Sequence, residues 1–117
     1  MILPLLTYIR FTATVLTCTP YQPVPEQCQG NPLITADGSQ IDTVALRSGK
    51  LRWCALSRDL LKRWGGRFDY GDSLYIAHSR LGGWWHVHDC MNKRFTNAVD
   101  LLTWEKVGKV KVLMIEE

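Results

Sequence analysis

Residues 8–17 are dominated by β-branched and aromatic side chains, with Tyr8, Ile9, Phe11, Thr12, Thr14, Val15 and Thr17, a composition that favours a strand. Residues 19–38 then hold Pro20, Pro23, Pro25 and Pro32 with Gly30 and Gly38, enough breakers to exclude a helix and predict a long surface loop. Loops of that length usually carry a function. Residues 41–46 and 50–56 are short apolar runs separated by Ser48-Gly49, and both read as strands entering a core. Residues 59–64 alone show helical spacing: Ser57 can cap, Leu60, Leu61 and Trp64 share a face, and Gly65-Gly66 ends the turn. The rest is β. Residues 73–77 follow a turn at Tyr70-Gly71-Asp72, residues 84–89 follow Gly82-Gly83, and residues 98–102 form another short run. In residues 107–115, Lys109 and Lys111 alternate with Val110, Val112 and Met114, as in a half-exposed final strand. The pattern therefore predicts one all-β domain over residues 1–117, with six or so short strands and a single helical turn, built as a small barrel.

Composition sharpens this only in part. At 117 residues and 46% hydrophobic content the chain can bury one core. The net charge is +3, and the basic excess lies after Arg47. That is far short of a nucleic-acid-binding stripe, so no nucleic acid is expected as a partner. The apolar start, Met1, Ile2, Leu3, Leu5 and Leu6, imitates a signal peptide, but its cation, Arg10, falls in the middle and Thr7, Thr12 and Thr14 dilute the run. It is also too short and polar to cross a bilayer, so neither a leader nor a membrane span is expected. Cys18, Cys28, Cys54 and Cys90 have no zinc-binding spacing, and their pairing depends on the compartment, which these residues leave open.

The densest polar cluster is residues 86–94, followed by Asn97 and Asp100. In a strand over residues 84–89, Trp85, Val87 and Asp89 share one face and His86 and His88 the other. His86 and His88 lack an evident third ligand, so no metal and no cofactor are expected. Asp89 is thus expected on an apolar, inward face, and Asp100, between Val99 and Leu101, repeats that context. A carboxyl deprived of water holds its proton more tightly, which is how proteins make general acids usable near neutral pH. The same acids could instead serve only to hold the 90–94 loop by hydrogen bonds. Trp84, Trp85, Tyr70, Tyr75 and Trp104 offer faces that could stack on pyranose rings or pack the core. Lys62, Arg63 and Arg67 read as a solvated face, a reading that extends to Lys93 and Arg94. No serine-hydrolase elbow, P-loop or dinucleotide fingerprint is present.

Six blocks occur in order along the chain. They are Thr12-Ala13-Thr14-Val15, Thr35-Ala36-Asp37-Gly38, Ala55-Leu56-Ser57-Arg58-Asp59-Leu60-Leu61, Tyr70-Gly71-Asp72-Ser73-Leu74-Tyr75-Ile76, His88-Asp89-Cys90-Met91-Asn92-Lys93-Arg94 and Val99-Asp100. Together they resemble the three-aspartate (3D) domain family, in the version common in Bacteroidota and their phages, over most of residues 12–114. The family is related to the barrel domain of membrane-bound lytic transglycosylase A. The resemblance implies a six-stranded double-psi β-barrel acting on peptidoglycan glycan strands, with a cell-envelope or virion-associated setting. It implies Asp100 as the catalytic aspartate and Asp89 as its support; Trp84, Trp85, Tyr75, Asn92, Lys93, Arg94 and Ser57 are the expected substrate-binding set beside them. Asp100 would protonate the oxygen between MurNAc and GlcNAc, then accept the proton of the muramyl C6 hydroxyl as it closes a 1,6-anhydro ring.

The chain departs from the family in two places. Ser57 stands where the family's first aspartate is found, with Asp59 two positions on, and Asp89-Cys90-Met91-Asn92 replaces a glycine-rich turn. The second wall of the transglycosylase groove also has no counterpart in these residues, so a shallow groove, or one completed by a partner protein, is expected. The competing expectation is a noncatalytic barrel that binds glycan or serves as a structural module of a cell-envelope or phage assembly.

Overall fold

The computed structural model, which describes residues 12–28 and 30–116, closes the apolar runs of the sequence into a barrel. Its strands are β1 (Thr12–Tyr21), β2 (Trp53–Leu56), β3 (Ser73–Ala77), β4 (Gly83–Cys90), β5 (Ala98–Leu102) and β6 (Val110–Glu116). Around the barrel the order is β1-β5-β2-β4-β3-β6, with β6 returning to β1. Two neighbouring pairs, β1 with β5 and β2 with β4, are parallel, and the other four are antiparallel. Exchanging β1, β2 and β3 for β4, β5 and β6 maps this pairing onto itself. The barrel thus has an internal twofold relation in its topology, which no repeat in the sequence announces.

The core follows from the two-residue period of a strand. Each strand sends two residues inward: Leu16 and Cys18, Cys54 and Leu56, Leu74 and Ile76, Trp85 and Val87, Val99 and Leu101, Val112 and Met114. Leu61, Phe68 and Leu81 complete this cluster from the connections. Each aliphatic side chain so buried stabilises the barrel by roughly 1.5–3 kcal/mol. Closure also gives each of the six strands a partner on both sides, so none is an edge strand.

Three elements differ from the sequence reading, each for a local reason. The run at 41–46 is not a strand. Asp42 accepts hydrogen bonds from the Val44 and Ala45 amides and starts a helical turn, α1 (Thr43–Arg47). This turn sets Ile41 and Leu46 against Leu51 and Leu102 outside the barrel. The expected helical turn at 59–64 is split into 3₁₀ turns, Arg58–Leu60 and Lys62–Trp64. Leu61 between them is extended and 2% exposed, because its side chain is drawn into the barrel core. Finally, β1 runs on through Pro20 to Tyr21 rather than ending before the proline-rich loop. β6 pairs with β1 only as far as Cys18, so the missing amide of Pro20 falls beyond the end of that ladder. The expected start of the first strand at residue 8 and the signal-like stretch lie outside the described residues. Among the described residues no helix is long and apolar enough to cross a membrane.

Candidate functional site

Asp100 points away from the barrel core, since its neighbours Val99 and Leu101 point in. Ala55 does the same between Cys54 and Leu56. On β4 strict alternation would send Asp89 inward with Trp85 and Val87, as the sequence predicts. It does not. The pairing of β2 with β4 passes from Cys54 opposite Val87 to Ala55 opposite Asp89, leaving His88 as the extra residue of a bulge. A bulge reverses the facing of the residues after it, so Asp89 comes onto the outer face beside Ala55. The expectation of an inward Asp89 is corrected by that single inserted residue.

A row then runs across four strands: Thr19 on β1, Asp100 on β5, Ala55 on β2 and Asp89 on β4. Residues opposite one another on a ladder share a face. The two acids therefore flank Ala55, with their backbones roughly 10 Å apart, two strand spacings. Because the residue between them ends at a methyl group, its own side chain does not stand between the acids. Asp89, Ala55 and Asp100 form the floor of a cleft of ≈ 670 Å³. Its walls come from the proline-rich loop on one side, and from the residues after β4 together with Arg58 on the other.

The loop is fastened to the bulge. The Ala36 amide donates to Asp89 Oδ1 at 2.9 Å, the Asp37 amide donates to the His88 carbonyl at 3.2 Å, and Asp37 Oδ2 lies 2.6 Å from His88 Nδ1. Burial alone would raise the Asp37 pKa. Hydrogen bonds from Thr35, His88 and Ser39 outweigh it and hold this carboxyl below its ordinary range. The His88 ring also packs on Trp53, with centroids 4.1 Å apart.

The two floor acids are held differently. Asp89 accepts from the Ala36 and Cys90 amides and, at 3.3 Å, from the Tyr21 hydroxyl. Burial still raises its pKa, with those donors opposing and the Asp37 charge adding to the rise. Tyr21 is buried enough that its phenol stays protonated and remains a donor. Asp100 has no such donors among the described residues: burial and then the Asp89 charge raise its pKa to about 6. One carboxyl is thus engaged by the protein and the other faces the cleft, ready to exchange a proton near neutral pH.

The structure brings Asp89, Asp100, Asn92 and Arg94 together around this cleft. Trp85 does not belong there. It is 2% exposed inside the barrel, with its indole N–H donating to the Leu81 carbonyl, so it has no face to offer a sugar. Ser57 is fully buried and its Oγ accepts from the Ala98 amide, a role in holding β5 rather than a ligand. Ser57→Ala strands that buried amide and should lower stability by about 1–3 kcal/mol in denaturant melts. Trp84 and Tyr75 are exposed and meet edge to face at 5.3 Å, but neither lines the cleft, and Lys93 is exposed beyond it.

Tyr21, Ala55, Asp37 and Arg58 were missed as site residues. Tyr21 was hidden by its place in the apparent loop, and Ala55 by its size. The block Thr35-Ala36-Asp37-Gly38 was the signal available for Asp37. All four cysteines are free thiols, and Cys28 and Cys90 line the cleft. Set against known proteins, the chain matches no family model and no curated protein.

Proposed function

We propose that the cleft cleaves peptidoglycan glycan strands between MurNAc and GlcNAc by a lytic, transglycosylase-like route. Asp100 is the catalytic residue and Asp89 positions it. The observation that carries this reading is the asymmetry of the acids: Asp100, with a pKa of about 6, takes no hydrogen bond from any of the described residues, whereas Asp89 is occupied by three donors. Hydrolysis by the common glycosidase routes uses two free carboxyls flanking the bond. A lytic reaction needs one. Protonated Asp100 gives its proton to the glycosidic oxygen as the bond from that oxygen to muramyl C1 breaks. The carboxylate so formed takes the proton of the C6 hydroxyl while O6 bonds to C1, which returns Asp100 to its starting state. The exchange symmetry of the strand pairing agrees with the double-psi barrel implied by the sequence resemblance.

Mass spectrometry of digested sacculi tests the reaction directly: 1,6-anhydromuropeptides are expected, and their absence overturns it. The reaction begins from protonated Asp100, so kcat/KM should be level below about pH 5 and fall roughly tenfold per pH unit above pH 7. Asp89→Asn removes the like charge and should move this limb to lower pH. The move is partial, since burial raises Asp100 more than Asp89 does.

One observation favours a second reading. Trp84, 58% exposed, and Tyr75 form an aromatic surface outside the cleft, which suits a barrel that holds glycan without cutting it, as a binding or structural module of a larger assembly. Such a module sediments with sacculi and leaves their turbidity unchanged. Its binding falls in Trp84→Ala and survives in Asp100→Asn.

A further inference from the structure

Arg58 begins the first 3₁₀ turn after β2 and lines the same cleft as Asp100, as does Arg94 from the loop after β4. The Arg58 Nε is sealed from solvent and finds no hydrogen-bond partner among the described residues. A buried donor left unsatisfied is costly, and an acceptor oxygen brought by a ligand recovers that cost. Among the described residues, the ion pairs are Arg67 with Glu116, Arg80 with Glu105 and Asp37 with His88, so neither cleft arginine is spent on a carboxylate.

Each is held by stacking instead. The Arg58 guanidinium lies 4.9 Å from the Trp64 ring centroid, and that of Arg94 lies 4.7 Å from Phe95. Stacking fixes the plane of a guanidinium and leaves its edge donors free, which is the geometry that grips a carboxylate or phosphate through two parallel bonds. Arg52 makes the contrast. It donates to the carbonyls of Leu81, Gly82 and Trp84 and so ties β4 and its approach together. The acids facing the cleft are Asp89, Asp100 and, from the loop, the exposed Glu26, none of them within ion-pair distance of Arg58 or Arg94.

We infer that Arg58 and Arg94 form an anion subsite in the acid cleft, which selects a sugar bearing a carboxylate over a neutral sugar of the same size. This rests on the reading of the cleft as a glycan site. It adds that, on a muramyl unit freed of its stem peptide, the lactyl carboxylate, and not only the sugar ring, fixes the register of the strand against Asp100. Phosphate presents the same chemistry to a guanidinium fork and is the source to be distinguished from a carboxylated glycan.

The test is calorimetric or NMR titration of the full chain at pH 7 and low salt, in the Asp100→Asn background so that nothing turns over. The probes are the disaccharide of N-acetylglucosamine and N-acetylmuramic acid, chitobiose, and inorganic phosphate. The carboxylated disaccharide should bind about tenfold tighter than chitobiose, and added salt should weaken only the former. Arg58→Gln should erase the preference, bringing the two disaccharides to equal affinity. Arg94→Gln, at an exposed position that leaves the fold intact, should reduce it several-fold. Arg58→Lys, which keeps the charge but lacks Nε–H and the fork, should restore only part of it.

Equal affinity for the two disaccharides, or a preference untouched by both glutamine variants, overturns the inference. Phosphate binding that is tighter than the disaccharide and lost in Arg58→Gln overturns the carboxylated-sugar assignment. Cleavage is measured separately on sacculi with the Asp100 wild type. A protein that makes no anhydro product yet discriminates the disaccharides through Arg58 loses the catalytic reading and keeps the subsite.

Discussion

Asp100→Asn should lower glycan cleavage by about 10²–10⁴-fold, the usual contribution of a positioned acid-base group, while making the protein more stable at pH 7. The two effects have one cause. Burial and the Asp89 charge lift the Asp100 pKa from 3.8 to about 6, so the folded protein binds a proton more tightly than the unfolded chain does. Stability then falls as pH rises through that window, because the native state must give up a proton it prefers to keep. Below pH 3.8 the penalty is absent, and above pH 6 it is complete, at most about 3 kcal/mol. Asparagine never ionises, and among the described residues no donor depends on the Asp100 carboxylate. At pH 7 the variant should therefore melt on the order of 5–10 °C above the wild type, with the difference vanishing near pH 3.5. Thermal melts at a series of pH values measure this without any substrate. A variant that melts lower than wild type at pH 7 would contradict the environment described for Asp100. One that cleaves sacculi normally would contradict its role.

Ala55→Leu should abolish cleavage by filling the space between the acids, with a loss of more than about 100-fold, since small displacements at a reacting centre already cost that much. Ala55 is 4% exposed and packs against Met91, Ala98, Tyr21 and Phe95. The added atoms have two outlets, upward between Asp89 and Asp100, or sideways against Tyr21 and Met91. Either way the overpacking should cost about 1–3 kcal/mol, which a barrel of this size survives. Circular dichroism confirms the fold and the sacculus assay reads the loss. Ala55→Gly is the matched control: it opens the floor rather than filling it and should keep most of the activity. A leucine variant that folds and cleaves as well as wild type would remove the acids from the reaction.

The strands were legible because the inward residues recur at the period of a strand: Leu74 and Ile76, Val99 and Leu101, Val112 and Met114 are written as alternation in the chain. The candidate acids were legible by type and context. Their facing was not. Asp89 differs from the sequence reading because a bulge at His88 depends on where β2 lies beside β4, a pairing between residues more than thirty positions apart. Trp85 shows the opposite failure. An indole on a strand reads equally as a sugar platform or a core residue, and only the closing of the barrel around it decides the matter. Ser57 likewise reads as a free hydroxyl until β5 is laid against β2 and the Ala98 amide reaches it.

By itself the sequence determined the β class, the proline-rich excursion and the two carboxyls, because periodicity, breakers and residue chemistry are local properties. Tertiary structure alone decided the row in which Asp100, Ala55 and Asp89 stand, the fastening of the loop through Asp37 and His88, and the return of Arg58 to the same cleft. These depend on strand order and register, which are set by the free energy of closing the whole barrel rather than by the preferences of any one segment.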